Sequence, residues 1–256
     1  MIESARPETR REKSRRLVRK HYHERGWLSP YTRYGTAVAE LLGPGASVLD
    51  VGCGRTFPMA DQFLSTGAEV FGLDPVAEPE AASDGAKLLR GMADDMPFED
   101  GRFDVVTSCA VLEHFERPVE IFEEFQRVLK PGGRVVFLTA GKYDYVSVLS
   151  RLVPNFLHGR IVKATEGRDE ADTFPTFYRA NSIRAIARIA RRSGLEVERL
   201  EYQNQFPYAL AFSPLLVRIG IAYDRLIQRA RWLHWLQGWL FGILRKPGGE
   251  GGGGGQ

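Results

Sequence analysis

The sequence predicts an α/β fold, a mostly parallel sheet covered by helices on both faces. Three observations carry this expectation. Between residues 46 and 140, short apolar runs alternate with stretches whose apolar residues recur at helical spacing. The first apolar run ends in Asp50-Val51-Gly52-Cys53-Gly54, where glycines permit a tight turn and close approach of backbone to a ligand. The second ends on Asp74, 22 residues beyond Gly52. Strands buried on both faces read as continuous apolar runs. Right-handed crossovers then put their carboxyl ends on one edge, where ligands of such sheets bind.

Each element can be justified in turn. Residues 8–25 read as a basic helix leading to Trp27, and residues 1–30 as a basic helical segment ahead of the main domain. Ser29-Pro30 breaks the chain, and a helix over Tyr31–Leu42 stops at Gly43-Pro44-Gly45. Ala46–Val51 is a first strand, residues 57–66 a helix stopped by Gly67, Ala68–Leu73 a second strand and Lys87–Arg90 a short third. The turn Glu99-Asp100-Gly101-Arg102 enters a fourth, Phe103–Ser108. Pro118 opens a helix with Phe122, Phe125, Val128 and Leu129 on one face. Pro131-Gly132-Gly133 ends it, and Arg134–Thr139 is a fifth strand. Residues 141–178 are long for a βα connection, and such a loop is usually functional, so a cap over the site is expected there. A helix over 181–193, capped by Asn181 or Ser182, leads through Gly194 to a sixth strand, Leu195–Leu200. Residues 207–213 are expected to form a seventh, which bounds the main domain at 31–213. Residues 214–246 read as amphipathic helices with Trp232, Trp235 and Trp239 on one face, and 247–256 as a flexible glycine-rich tail.

The net charge of +3 hides an asymmetry. Residues 1–25 carry nine Lys/Arg against four Glu, and residues 206–246 six against one, so each end is +5 and the remainder about −7. Basic ends suit an anionic surface such as lipid headgroups. The apolar run near the three tryptophans is too short to span a bilayer, so contact without crossing is expected. The domain itself, or a second copy of the chain, is the other expected cover for that face. Two cysteines, Cys53 and Cys109, make no disulfide scaffold, and the Arg-rich start lacks an apolar leader, so a cytoplasmic protein is expected, peripheral at the inner membrane face.

The turn after the first strand discriminates between ligands. A dinucleotide fold wants a third glycine at position 57, where Phe57 stands, which counts against a nicotinamide cofactor. Asp74 can accept both ribose hydroxyls of a nucleoside lying across the strand ends. Further blocks follow in order: Gly91-Met92-Ala93-Asp94-Asp95-Met96-Pro97-Phe98, then Phe103-Asp104-Val105-Val106, Val111-Leu112-Glu113-His114, and Leu129-Lys130-Pro131-Gly132-Gly133.

In their order and spacing these blocks resemble the class I S-adenosylmethionine-dependent methyltransferases of the small-molecule, type 11-like kind, closely over residues 46–140. The resemblance implies a Rossmann-like sheet of seven strands, mostly parallel, in the order 3-2-1-4-5-7-6 with the seventh antiparallel, and S-adenosylmethionine as cofactor. It implies that Asp50, Gly52 and Gly54 line the methionine part, that Asp74 holds the ribose, and that Met92, Ala93 and Asp94 form the adenine loop. It also implies that Cys109 lies under the methionyl moiety. Many relatives have glycine where Thr56 stands and an acidic residue where Met92 stands. Here Ala93 backbone groups or Asp94 take the adenine contact. Beyond the fifth strand, Glu166-Gly167-Arg168, Asp172-Thr173-Phe174-Pro175 and Phe177-Tyr178-Arg179-Ala180-Asn181-Ser182 resemble a narrower bacterial group.

For the chemistry, His114 follows the fourth strand, beside the expected methyl group, and histidine ordinarily exchanges protons near neutral pH, so it is the candidate base. Tyr143, Tyr145, His158, Arg160, Arg168, Tyr178 and Arg179 are candidates for the acceptor pocket. No metal is expected, since one Glu and one His are too few ligands, and the resemblance implies that Ala110 stands where the ubiquinone O-methyltransferases carry an additional carboxylate. Nucleic acid is not an expected partner, because no stacking platform or Asn/Asp-Pro-Pro-Tyr/Phe block follows the fourth strand. The expected activity is methyl transfer to a hydroxyl, less readily an amine, of a small or lipid- or glycan-linked acceptor. The alternative is a non-catalytic S-adenosylmethionine-binding scaffold, against which the intact Asp50, Gly52, Gly54 and Asp74 argue.

Overall fold

The computed structural model describes residues 8–22, 24, 26–143, 174–204, 210 and 212–248. Its strands are β1 (Ser47–Val51), β2 (Glu69–Asp74), β3 (Ala86–Arg90), β4 (Phe103–Cys109), β5 (Leu129–Ala140), β6 (Glu196–Gln203) and β7 (Trp239–Arg245). They form one seven-stranded sheet in the order β3-β2-β1-β4-β5-β7-β6, as the resemblance implied. The first five pair in parallel, and β7 runs antiparallel to both β5 and β6. The helices are α1 (Arg10–His21), α2 (Pro30–Ala39), α3 (Ala60–Leu64), α4 (Pro118–Val128), α5 (Ile183–Arg192) and α6 (Pro214–Arg229).

Local chemistry explains where the helices begin. Thr9 and Glu12 form a reciprocal capping box on α1. Ser29 accepts from the Thr32 amide, with Pro30 at the first position of α2. Ser182 is the cap of α5. Asn181, the other candidate cap, instead donates from Nδ2 to Thr139 Oγ1 at 2.8 Å and to the Ala140 carbonyl at 2.9 Å.

Side-chain alternation along the strands divides the interior into two layers. Leu49, Val51, Val135, Phe137, Leu240 and Leu244 pack with Phe122 and Phe125 of α4 and Ile186 of α5. Val48, Val136, Leu138 and Phe241 pack on the opposite face with Tyr34 and Val38 of α2 and Phe63 of α3. A third, smaller core lies outside the sheet, where Val18 and Tyr22 meet Val217 and Ile221 of α6.

One expectation is corrected here. The seventh strand is Trp239–Arg245, not 207–213. Of the latter, Leu210, Phe212 and Ser213 are described and none is strand. The stretch expected to be helical over 214–246 is α6, then a 3-10 turn at Arg231–Leu236, then β7. Trp239 therefore does not share a helical face with Trp232 and Trp235. It pairs with Ala140 and Gln203 inside the sheet, its ring 5.0 Å from that of Tyr31. Gly242 makes this possible, because a Cβ there would lie 2.2 Å from Cζ of Phe137, its neighbour on β5. Among the described residues no helix is long and apolar enough to cross a membrane.

Candidate cofactor and active site

The carboxyl ends of β1, β2 and β4 bring the predicted residues together. Asp50 is buried, and its Oδ1 accepts from Thr107 Oγ1 of β4 at 2.7 Å. Burial pushes its carboxyl up to about 7; the Thr107 bond acts the other way, and the nearby Asp74 charge adds to the rise. Among the described residues no cation pairs with it, and an ammonium group is the natural complement of a buried carboxylate.

Gly52 and Gly54 both take left-handed backbone, at φ +78° and +77°. A Cβ on Gly52 would strike Val111 at 2.3 Å, whereas one on Gly54 would meet nothing within 4 Å. Gly52 is thus required by packing against the loop after β4, and Gly54 leaves open space above the turn. The amide of Gly54 donates to Asp74 Oδ2 at 2.9 Å, and the amide of Val76 donates to Oδ1 at 2.9 Å. These two bonds hold the Asp74 carboxylate in place while leaving lone pairs for ribose hydroxyls. Met92 is exposed, Ala93 half-buried, and Asp94 pairs with Arg117 at 3.3 Å. The Gly91 amide donates to the Asp74 carbonyl at 3.2 Å, which fixes the predicted adenine loop beside Asp74.

The two thiols are unsuited to nucleophilic work. Cys53 is packed under Gly72, and burial pushes its thiol up, with the Asp50 and Asp74 charges adding to the effect. Cys109 ends β4, and burial followed by the charges of Asp50 and Glu113 raises it as well.

Among the described residues three other than glycine adopt positive φ: Phe57 at 51°, Ala110 at 57° and Tyr178 at 50°. Phe57 follows the turn after β1, Ala110 lies just past β4, and the Tyr178 amide donates to the Glu113 carbonyl; strained backbone tends to gather at functional sites. Phe57 occupies the position at which a dinucleotide fold would carry glycine. It takes the left-handed conformation with its ring buried against Phe63.

His114 lies in a 3-10 turn, Leu112–His114, just past Ala110. Its Nδ1 is 2.9 Å from the Pro175 carbonyl, and its ring meets that of Phe174 edge-on. The neighbouring Glu113 is a hub. Its buried Oε2 accepts from Thr139 Oγ1 at 2.8 Å, and its carbonyl accepts from the amides of Phe177 and Tyr178 at 2.7 and 3.2 Å. Arg179 donates to the Glu116 carbonyl at 2.7 Å. Residues 175–181 are thereby laced to the ends of β4 and β5, with Tyr178 bonded to Glu113 and Arg179 to Glu116, the residues on either side of His114-Phe115. Tyr143, at the other end of the predicted cap, stacks edge-on against Trp235 with ring centroids 5.2 Å apart. Tyr145, His158, Arg160 and Arg168 lie outside the described residues.

Sequence reasoning missed two members of this neighbourhood. Tyr34 of α2 is fully buried, and burial, then the charges of Asp50 and Cys109, raises its hydroxyl. Its spacing of four from Val38 marked only an apolar helix face. Asn181 is one of two candidate caps by sequence, with Ser182, and nothing in the sequence signals its bond to Thr139. Among the described residues no three His, Cys, Asp or Glu side chains converge as a metal site.

Comparison with known proteins matches this arrangement. The family described as a methyltransferase domain matches residues 49–137. The chain is similar to the ubiquinone biosynthesis O-methyltransferase of Burkholderia pseudomallei (strain 1710b), with 27% identity over 190 residues, covering 71% of this chain and 75% of that one. A sterol 24-C-methyltransferase of Gibberella zeae is 39% identical over 100 residues, which cover 35% of this chain and 26% of the relative. Among solved structures, geranyl diphosphate C-methyltransferase from Streptomyces coelicolor A3(2) shares the fold at a TM-score of 0.55 and 17% identity, covering 94% of this chain and 86% of that one. With the strand order, the turn after β1 and the acidic residue ending β2 in place, the chain is a class I S-adenosylmethionine-dependent methyltransferase, and S-adenosylmethionine is its cofactor.

Proposed function

We propose that the enzyme methylates a hydroxyl of a small, lipid-linked acceptor, with His114 taking the hydroxyl proton. The observation that carries this reading is the contact between His114 Nδ1 and the Pro175 carbonyl. A carbonyl oxygen only accepts, so Nδ1 bears the hydrogen, and in the neutral ring Nε2 presents a lone pair. The backbone of the cap's return segment thus sets the tautomer a base requires. The acceptor class draws support from the relatives, whose names speak of ubiquinone biosynthesis O-methylation and of sterol and geranyl diphosphate methylation.

In this reading Asp50 holds the α-ammonium group of the cofactor, Asp74 the ribose, and Met92, Ala93 and Asp94 the adenine, with Cys109 beneath the methionyl part. The cofactor supplies an electrophilic methyl group on a sulfonium. The chain's own task is to orient the acceptor oxygen toward it, exclude water and remove the proton. Tyr143, Tyr178 and Arg179 border the acceptor in this reading, while Tyr145 and Arg168, expected beside them, lie outside the described residues. A lipid-linked acceptor places the enzyme at the cytoplasmic face of a membrane.

His114→Ala is expected to lower kcat about a hundredfold while leaving S-adenosylmethionine affinity unchanged. The measurement is S-adenosylhomocysteine release with a prenylated phenol as acceptor, beside calorimetric titration of the cofactor. Normal turnover in the variant, or lost cofactor binding, removes His114 from the base role. Asp74→Ala should weaken cofactor binding by roughly 1–3 kcal/mol, the scale for a lost charged hydrogen-bond partner. Unchanged affinity in that titration would place the ribose elsewhere.

A further inference from the structure

The pair formed by α1 and α6 has a surface that methyl transfer does not use. Along α6 three stripes run side by side. Val217, Gly220, Ile221, Asp224 and Ile227 are buried toward α1. Directly opposite, Leu215, Ile219, Ala222 and Leu226 recur at spacings of four, three and four and are exposed; Leu215 and Leu226 are 65% and 59% accessible. Between them, on one flank, Arg218, Arg225 and Arg229 follow at spacings of seven and four. Trp232, just past the helix, is 76% exposed. The partner helix α1 adds seven Lys/Arg against one Glu.

Beside the arginine flank lies a cavity of about 600 Å³, lined by Arg33, Arg225, Arg229, His21, Tyr22 and Trp27 among others, and by no carboxylate. Neither Arg33 nor Arg229 is ion-paired among the described residues, and the Arg225 guanidinium meets His21 Nδ1 at 3.3 Å. The cavity is separate from the crevice at Asp50 and Asp74, yet it opens near the same edge of the sheet. Gln228 of α6 and Gln203, the last residue of β6, line one smaller adjoining cavity of about 190 Å³. Tyr223 of α6 donates to the Leu236 carbonyl at 3.1 Å, three residues before β7 starts opposite the ends of β5 and β6.

We propose that this face docks on an anionic membrane, with a lipid phosphate headgroup in the arginine-lined cavity and the Leu215–Ile219–Leu226 stripe among the acyl chains. It rests on the membrane part of the reading above and not on the chemistry at His114. Exposed apolar side chains beside a row of arginines complement both layers of a lipid interface, apolar below and negative at the headgroups. A nucleic acid would leave the apolar stripe without a partner. A two-fold contact with a second copy would set the same patch against itself, bringing like charges face to face. Docked by this face, the carboxyl edge of the sheet lies beside the bilayer, so that a lipid-linked acceptor reaches the cap without leaving it.

The test is flotation of the full chain with vesicles of phosphatidylcholine alone and of phosphatidylcholine mixed with phosphatidylglycerol. The protein is expected to float only with the mixed vesicles, less so as salt rises. In Arg225→Gln/Arg229→Gln, binding should fall about fivefold for each charge removed. In Leu215→Ser/Ile219→Ser/Leu226→Ser it should fall roughly tenfold or more, and the exposed positions keep thermal unfolding and cofactor titration at wild-type values. Wild type left unfloated by both vesicles, or variants that float as it does, overturns the proposal. So does a dimer, seen by light scattering without lipid, that Ile219→Ser dissociates. Lost flotation with intact cofactor binding leaves the methyltransferase reading standing, and inactive His114→Ala that still floats leaves the docking surface standing.

Discussion

A chain ended after Leu236 is expected to lose its fold outright. The missing residues include β7, which stands between β5 and β6 and, among the described residues, is the strand through which β6 pairs with the sheet. Leu240, Phe241 and Leu244 are buried to 1% exposure or less. Each contributes about 1.5–3 kcal/mol of burial, so together roughly 5–9 kcal/mol. That alone approaches the whole stability of an ordinary domain, about 5–15 kcal/mol. The loss also bares Val135, Val136, Phe137 and Leu138 along the unpaired edge of β5, an invitation to aggregate. Circular dichroism with thermal unfolding checks this. A cooperative transition and cofactor binding in the truncated chain would show β7 to be dispensable.

That strand is also where the sequence was hardest to read. Trp239-Leu240-Phe241-Gly242-Ile243-Leu244 is apolar throughout because both its faces are covered, and periodicity cannot tell such a run from a buried helix. Trp232, Trp235 and Trp239, at spacings of three and four, imitated one helical stripe, although a 3-10 turn and a strand share them. The discriminating signals were local: Gln237-Gly238 before the run, Pro247-Gly248 after it, and a glycine inside it where Phe137 crosses.

The first five strands were legible for the opposite reason. Each is bounded by glycine or proline, and the first, second and fourth end on or lead into residues of distinctive chemistry: Asp50 and the glycines, Asp74, and Glu113-His114. The strand order came from resemblance, since pairing partners leave no mark in local pattern. Bonds distant in sequence were likewise invisible. The Glu113–Thr139–Asn181 chain joins three segments, and nothing about Asn181 in its own neighbourhood distinguishes it from the helix cap next door.

Cofactor affinity is expected to follow the ionisation of Asp50. The group is enclosed by Thr107 of β4, Asp74 of β2, Tyr34 of α2 and the two thiols, Cys53 and Cys109. None of these supplies a positive charge, so burial holds the carboxyl near 7. An ammonium group requires the ionised form. Below the folded value the free protein must release a proton to bind, and affinity should fall about tenfold for each pH unit under about 6.5. On the alkaline side the ligand's own amino group titrates near about 8, so the profile is bell-shaped. The sign for folding is opposite to that of Glu69, which Lys87 and Arg102 hold below the ordinary range. Glu69 contributes stability that is lost as pH falls through its folded value. Ionised Asp50 costs stability, and that cost is relieved as pH falls from about 7 toward the unfolded value near 4. Asp50→Asn should therefore bind the cofactor about a hundredfold more weakly at neutral pH and lose the acid limb. Calorimetric titration of both proteins across the acid range decides the matter. If the wild type keeps a flat affinity down to about pH 5, or the Asn variant retains the acid limb, the ammonium partner is not Asp50.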